Sequence, residues 1–567
     1  SNNTAVGKNT LTLLTSGANN TAIGSEALAD NTTGADNVAV GAYALDANTT
    51  ADGNSALGHR ALTSNTTGIR NVAIGKDSIY NNTTGNYNTG IGYSALQDNT
   101  TAAYNTAVGY LSLKSNTTGT ENVAVGASAL AANTTGGDNV ATGVEALTTN
   151  TTGSDNVAVG KAALKLSTTA SQNTAIGKAA LSANTTGTAN VACGYTALRD
   201  NTTADNNSAF GYAALQSNST GTQNVAVGYG ALDDNTTGGN NNAFGFQALS
   251  ANTTGASNCA FGKNSLLNNT TADNNTAVGH DSLEANTTGN QNVAVGAEAL
   301  HVNTTGANNT AIGDSTLSAN TTASENTAVG RAALNLNTTG THNTAVGAYA
   351  LDNNTTGSNN TAVGRAALDS NTTAQYNTAV AKQALQACTT GASNTAVGYS
   401  AGINITTGGN NLLLGVNAGH SDSPSGSLTN ESNIIVLGDN NIGSFYAKVS
   451  TIQTSDIRDK TDVTDFKHGL SWVTKLRPVT YRWDMRSNYK NGTPDGSKKE
   501  EKLHLGFIAQ EELEIEKEHG FANNKNDMLL ANENAEGNYG MHYDRLVPIL
   551  VNAIKELSTK VTALEAG

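Results

Sequence analysis

Between residues 4 and 415 short apolar stretches recur in the form Asn-(Thr/Val)-Ala-(Val/Ile)-Gly, with polar turns between them. Glycine stands at Gly7, Gly24, Gly41, Gly58 and onward to Gly415 at a spacing of 17, and Ala381 alone departs from the series. Leucine follows four residues later, from Leu28, Leu45 and Leu62 to Leu385, with Ile79 as a conservative exception. Such a period signals stacked repeats, and 17 residues are too few for a helix pair. Asn37-Val38-Ala39-Val40-Gly41 predicts a β-branched strand of period 2, with Val38 and Val40 on one face and Ala39 and Gly41 on the other. Ala44-Leu45 predicts a second short strand with an inward side chain, and Asn48-Thr49-Thr50 a turn, often closed by glycine. One unit therefore forms one coil: strand, corner, short strand, polar turn. Stacking the coils buries their apolar side chains and aligns asparagine and threonine into ladders that hydrogen-bond above and below. The small Ala/Gly face predicts a seam at which identical chains approach closely.

The fold class that follows is mainly β: a parallel β-roll or solenoid of 17-residue repeats over residues 1–420. A transition occupies residues 421–454, with a loop at Ser421-Asp422-Ser423-Pro424-Ser425-Gly426 and a last strand at Asn433-Ile434-Ile435-Val436-Leu437-Gly438. From about Ser450 Lys, Arg, Glu and both tryptophans (Trp472, Trp483) appear, which marks a separate domain with its own core.

Composition narrows the function classes. Glycine is abundant (60 of 567), charged residues make up 13%, and the regular apolar spacing excludes the disorder that polar, Gly-rich sequence otherwise suggests. A formal net charge of −15 argues against non-specific binding to nucleic acid or anionic membranes. No apolar run reaches the length of a membrane span, and no secretory leader is visible. The opening at Ser1, inside a repeat, implies an N-terminal attachment region outside this sequence. Cys193, Cys259 and Cys388 fall in separate repeats, so no disulfide framework is expected; Cys193 and Cys259 read as small core residues. No cofactor or metal is implied. The many Asn-Thr-Thr sequons are explained by the turn ladder, and the glycine units lack the Gly-Lys-Ser/Thr ending of a phosphate loop. Tyr93, Tyr110, Tyr195, Tyr212 and Tyr229 follow repeat glycines; they suit a half-exposed strand edge, and no receptor site is assigned to them.

The candidate chemistry lies at Ser455-Asp456-Ile457-Arg458-Asp459-Lys460-Thr461-Asp462, where a lysine stands five residues after a serine. A serine hydroxyl is a weak nucleophile, and a lysine whose pKa is lowered by burial can accept its proton. Leu546, Leu550, Ala553, Leu557, Val561 and Leu564 form an apolar stripe on a terminal helix; Lys560 interrupts a strict heptad, which predicts a short bundle.

Asn-x-Ala-x-Gly-x-x-Ala units resemble the head repeats of trimeric autotransporter adhesins, which are left-handed parallel β-rolls, although those repeats are somewhat shorter. A triple β-spiral like that of adenovirus shafts is the competing architecture. Further on, Leu476-Arg477-Pro478-Val479-Thr480-Tyr481-Arg482-Trp483, Gly506-Phe507-Ile508-Ala509-Gln510-Glu511 and Tyr543-Asp544-Arg545-Leu546-Val547-Pro548-Ile549-Leu550 succeed Ser455 in this order. Together they resemble the intramolecular chaperone domain of phage endosialidases and tail fibres, also found in myelin-regulatory-factor-type proteins. The resemblance covers about the last fifth of the chain, residues 455–567, as a small α+β domain with a C-terminal helix.

It implies a homotrimer whose C-terminal domain helps the fibre fold and then cuts itself off. By position Ser455 is the nucleophile, Lys460 its general base and Thr454–Ser455 the scissile bond, with Asp456, Arg458 and Asp462 holding the loop by ion pairs. This is single-turnover serine peptidase chemistry with no external substrate. The whole then reads as a bacteriophage tail fibre, made in the host cytoplasm and carried on the virion. It meets a host cell-surface receptor (glycan or protein) and joins other tail or fibre proteins through the N-terminal region. The alternative is a bacterial surface or secreted adhesin filament using the same chaperone. A polysaccharide-degrading tailspike is disfavoured, because no insertion breaks the register to house paired carboxylates.

Overall fold

The structure is a computed structural model that describes residues 2–446, 455–486, 489, 492–534 and 537–566. It is a parallel β-solenoid followed by a small α+β domain. Two compact units divide the chain, Ser1–Tyr349 with Asn353–Thr356, and Ala350–Asp352 with Gly357–Gly567.

In the first unit, strands β1 (Thr4–Val6) to β21 (Thr344–Val346) have three residues each and recur every 17. Successive strands pair in parallel without register shift, as in Thr21↔Val38, Ala22↔Ala39 and Ile23↔Val40. A three-residue strand cannot hold a coil by itself, and two buried asparagine ladders do much of the rest. Asn37 is fully buried: its N–H donates to Asn20 Oδ1 at 3.0 Å, its Nδ2 to Ala51 O at 2.8 Å, and its own Oδ1 accepts from Asn54 N at 2.9 Å. Asn48 Nδ2 donates to Asn31 Oδ1 at 3.0 Å and to Ala51 O at 3.2 Å. Thr49 Oγ1 reaches the next coil at Thr66 O, 3.2 Å away. Because Asn31 and Asn48 are fully buried, the sequon asparagines are structural.

The faces of the strand are the reverse of the expectation. Ala39 is fully buried, whereas Val38 is 40% exposed and Val40 is half-buried. The cause is volume: each coil encloses only a strand alanine, Ala44 and Leu45 between the asparagine ladders, so the larger β-branched side chains go outside. The Ala face is consequently the coil's own interior and cannot be the seam between chains. Close backbone approach does occur, but to the next coil: Gly41 has φ +140°, and a Cβ there would lie 2.4 Å from Gly58 O.

The second segment is likewise not a strand. Tyr43 and Leu45 take left-handed φ values of 61° and 51° around Ala44. This costs about 1 kcal/mol per residue. It also turns the N–H groups along the stack, so that Tyr43 N donates to Ser25 O at 2.9 Å on one side and Leu45 N to Ala61 O at 3.0 Å on the other. Cys193 and Cys259 occupy outer strand positions and are half-buried, contrary to the core reading; Cys388 is buried. It replaces a ladder asparagine, with Sγ donating to Gly391 O at 3.2 Å.

In the second unit, β22 (Thr361–Val363) to β25 (Leu412–Leu414) repeat the same coil. The predicted loop then stretches one repeat, so that β26 (Ile435–Leu437) pairs with β25 as Leu412↔Ile435.

The C-terminal domain contains α1 (Leu470–Val473), the antiparallel pair β27 (Val479–Tyr481) and β28 (His504–Gly506), α2 (Ala509–Glu518), the antiparallel pair β29 (Ala531–Glu533) and β30 (Tyr539–Met541), and α3 (Leu546–Glu565). Its core gathers Trp472, Ile515, Leu530, Leu546 and Ile549, with Phe466, Phe507 and Phe521 packed around them. Of the two tryptophans only Trp472 is core, since Trp483 is 45% exposed. Glu516 is buried and accepts from the backbone N–H groups of Leu529, Leu530 and Ala531 at 2.6 to 2.8 Å, which ties α2 to the start of β29.

Candidate functional site

Asp456 begins the site. Its Oδ1 accepts from Arg458 N at 2.9 Å and so caps one turn of 3-10 helix, Ile457–Asp459. The turn ends at Lys460, whose backbone is extended (φ −117°, ψ 135°). That reversal returns the lysine side chain over the turn, and Lys460 Nζ donates to Ser455 Oγ at 2.7 Å. Arg458 closes on Asp456 through Nε at 3.0 Å and Nη2 at 2.5 Å, and this hydrogen-bonded pairing holds the Asp456 carboxyl below the usual carboxylate range. Asp462 has a left-handed φ of 53° and forms no ion pair among the described residues. Thr454 lies outside the described residues.

The arrangement holds a hydroxyl and an amine within hydrogen-bond reach, which is the first geometric requirement of a serine–lysine pair. Ser455 and Lys460 are both exposed, so the burial that the sequence reading assigned to the lysine is absent from the single chain.

A second candidate surface runs along α3. The helix docks by Leu546, Ile549 and Ala553, with Asn552 Nδ2 donating to Phe466 O and Glu556 Oε2 accepting from Leu470 N at 3.0 Å. Leu546 and Ala553 thus leave the predicted self-association stripe. Val547, Leu550, Ile554, Leu557, Val561 and Leu564 stay exposed, from 38% to 82%, with Val551 exposed beside them. The spacings of these six alternate three and four, which is an uninterrupted heptad seam, and Lys560 falls beside it. The stripe read from sequence mixed the two faces.

The shaft tyrosines stack on one another. Tyr195, Tyr212, Tyr229 and Phe246 form a column with centroids 5.0 to 5.3 Å apart. The ring faces between neighbours in the column are thereby occupied.

Residues 455–521 match the family described as chaperone of endosialidase, so the match begins at Ser455 and contains the Ser455–Lys460 pair. It spans β27, β28 and α2 and ends before α3. A search of curated proteins finds no match to the chain.

Proposed function

We propose that this chain is a tail-fibre shaft of a bacteriophage whose C-terminal domain brings three copies into register and then cleaves its own chain between Thr454 and Ser455. The observation that carries the reading is the contact of Lys460 Nζ with Ser455 Oγ at the first residues of the chaperone-family match. In the cut, Ser455 Oγ attacks the Thr454 carbonyl while Lys460 takes the hydroxyl proton and passes it to the departing Ser455 amine, which leaves Thr454 joined to Ser455 Oγ as an ester; water then hydrolyses that ester and parts the chain between Thr454 and Ser455. Because Ser455 and Lys460 are exposed in one chain, the water-excluded surroundings in which the cut proceeds come from assembly. Cutting is in this way delayed until chains have met.

A repetitive shaft needs such an end. Every coil offers the next chain nearly the same surface, so register is weakly specified by the coils themselves. A C-terminal assembly fixes the chain ends first, and its removal leaves the shaft without its route back to the unfolded state, a form of kinetic stability. The α3 seam supports association of copies. Its Val547, Ile554 and Val561 with Leu550, Leu557 and Leu564 form a pattern that in free-standing parallel coiled coils favours two strands, so a threefold assembly is set by the rest of the domain. Outward-facing coils would carry adhesion to a host-surface glycan or protein.

The test is the native mass of wild type and Ser455→Ala by light scattering, followed by heating in detergent. The reading expects trimers of both and loss of resistance in the uncut variant. A monomeric mass overturns assembly, and equal resistance overturns kinetic trapping.

A further inference from the structure

The outward strand face of the first unit is an apolar stripe with oppositely charged borders. The third strand position is Val, Ile, Leu or Phe in almost every coil, and Ile23, Leu57, Ile176, Phe210, Phe261 and Ile312 are 40% to 50% exposed. At about 60 Å² per coil, the stripe from β1 to β21 amounts to roughly 1,200 Å². Isolated soluble chains rarely expose more than a few hundred Å² of contiguous apolar surface, and a stable interface covers about 800 Å² per partner.

The two borders differ in sign. One position lies two residues before each strand and holds Asp36, Glu121, Asp138, Asp155 and Glu325 against one base, Arg70. The other lies two residues after each strand and holds Lys8, Lys76, Lys161, Lys178, Lys263 and Arg331 against one acid, Asp314. A face with an acidic edge and a basic edge is complementary to a rotated copy of itself, which is the requirement for a closed ring of identical chains.

We infer that this stripe is covered by further copies of the same chain, the acidic edge of one copy lying along the basic edge of the next in the same coil register. The inference rests on the proposed trimer and adds its surface and register. A closed ring has no axial shift, so residues of one coil meet residues of that same coil in the neighbour. Under that rule two of the five acids meet a base, Asp155 with Lys161 and Glu325 with Arg331, and tyrosines stand level at Tyr87 with Tyr93 and Tyr104 with Tyr110, while Asp36, Glu121 and Asp138 meet the small or apolar Ala42, Ala127 and Val144. Asp155 and Lys161 are exposed, and the ion pair of their stretch joins Lys165 to Glu145 at 2.8 Å instead. Arg70 and Lys76 are level and alike in charge, but each guanidinium or ammonium lies over a tyrosine of the next coil, at 5.6 Å from Tyr87 and 5.8 Å from Tyr93.

The test starts from the full chain with Cys193→Val, Cys259→Thr and Cys388→Asn, replacements that restore residues common at those repeat positions. Into it go Asp155→Cys and Lys161→Cys, together and singly, at exposed sites that spare the coil. A short bis-maleimide added to the native protein should give covalent trimers for the double variant, with the single variants remaining monomers in denaturing gels. Asp155→Cys with Lys178→Cys, one coil out of step, should give none. A native trimer that fails to link at 155/161, or links equally at 155/178, overturns this inference and leaves the fibre reading standing. A monomeric native mass overturns both, and a trimer of wild type that binds another molecule along the stripe in place of its own copies overturns the occupant named here.

Discussion

Restoring one rung of the inner ladder should stabilise the shaft locally. Ser167 occupies a ladder position held by asparagine in the coils on either side, Asn150 and Asn184. With serine there, Asn150 Oδ1 and Ser167 Oγ are both buried without a hydrogen-bond partner. An intact rung shows what is missing: Asn133 Nδ2 donates to Asn116 Oδ1 at 2.8 Å and to Gly136 O at 2.9 Å, while its Oδ1 accepts from Asn150 Nδ2 at 2.8 Å. Ser167→Asn would bond upward to Asn150, sideways to Ala170 O and downward to Asn184. It removes two buried orphans, each costing about 1–3 kcal/mol. It orders one longer side chain, at a cost of about 1 kcal/mol. The net expectation is about 2 kcal/mol of added local stability, and Asn133→Ser should lose a similar amount. Because long repeat arrays unfold in segments, the assay is amide hydrogen exchange across residues 147–187. Slower exchange by a factor of about 30 in Ser167→Asn is the predicted result. Unchanged or faster exchange would refute the argument that buried ladder satisfaction holds these coils together.

Ala381 sits at φ +103° where other coils have glycine, so Ala381→Gly should relieve strain and raise local stability by about 1 kcal/mol in denaturant unfolding followed by exchange at that coil. Glu512 is buried, with its Oε1 accepting from Trp472 Nε1 at 2.8 Å, and burial raises its pKa to about 7, the Trp472 bond opposing and Glu516 adding to the rise. The folded domain thus binds this proton more tightly than the unfolded chain, so the stability contribution of Glu512 is full below about pH 4.5 and is lost as pH rises to about 7. Glu512→Gln should flatten that decline, by at most about 3 kcal/mol, in unfolding curves compared with wild type from pH 4.5 to 8. On α3, Ile554→Lys should abolish self-association in light scattering while leaving the domain folded by circular dichroism, since Ile554 is 66% exposed.

The strand positions, leucine core and ladder asparagines were legible because stacking demands strict periodicity, and the period is visible in residues 4–415. Which strand face points inward was not legible, because alternation is symmetric. The deciding factor is the room inside a coil, which admits Ala39 and excludes Val38 and Val40. The turn at Tyr43-Ala44-Leu45 escaped notice because left-handed leucine runs against local preference, and only the hydrogen bonds to adjacent coils repay it. On α3, the stripe mixed residues from two apolar faces, and separating them needed the docking contacts of Ile549 and Ala553. The Ser455–Lys460 pairing was expected from the resemblance to the chaperone family rather than from the spacing alone, whereas the exposure of both residues depends on tertiary structure that neither reports.

The most direct test of the central claim is the intact mass and N-terminal sequence of every fragment from wild type, Ser455→Ala and Lys460→Ala. The account predicts a fragment beginning at Ser455 in wild type alone, with both variants remaining whole. A single uncut chain in all three, or a fragment beginning at Ser455 that persists in Ser455→Ala, would contradict it.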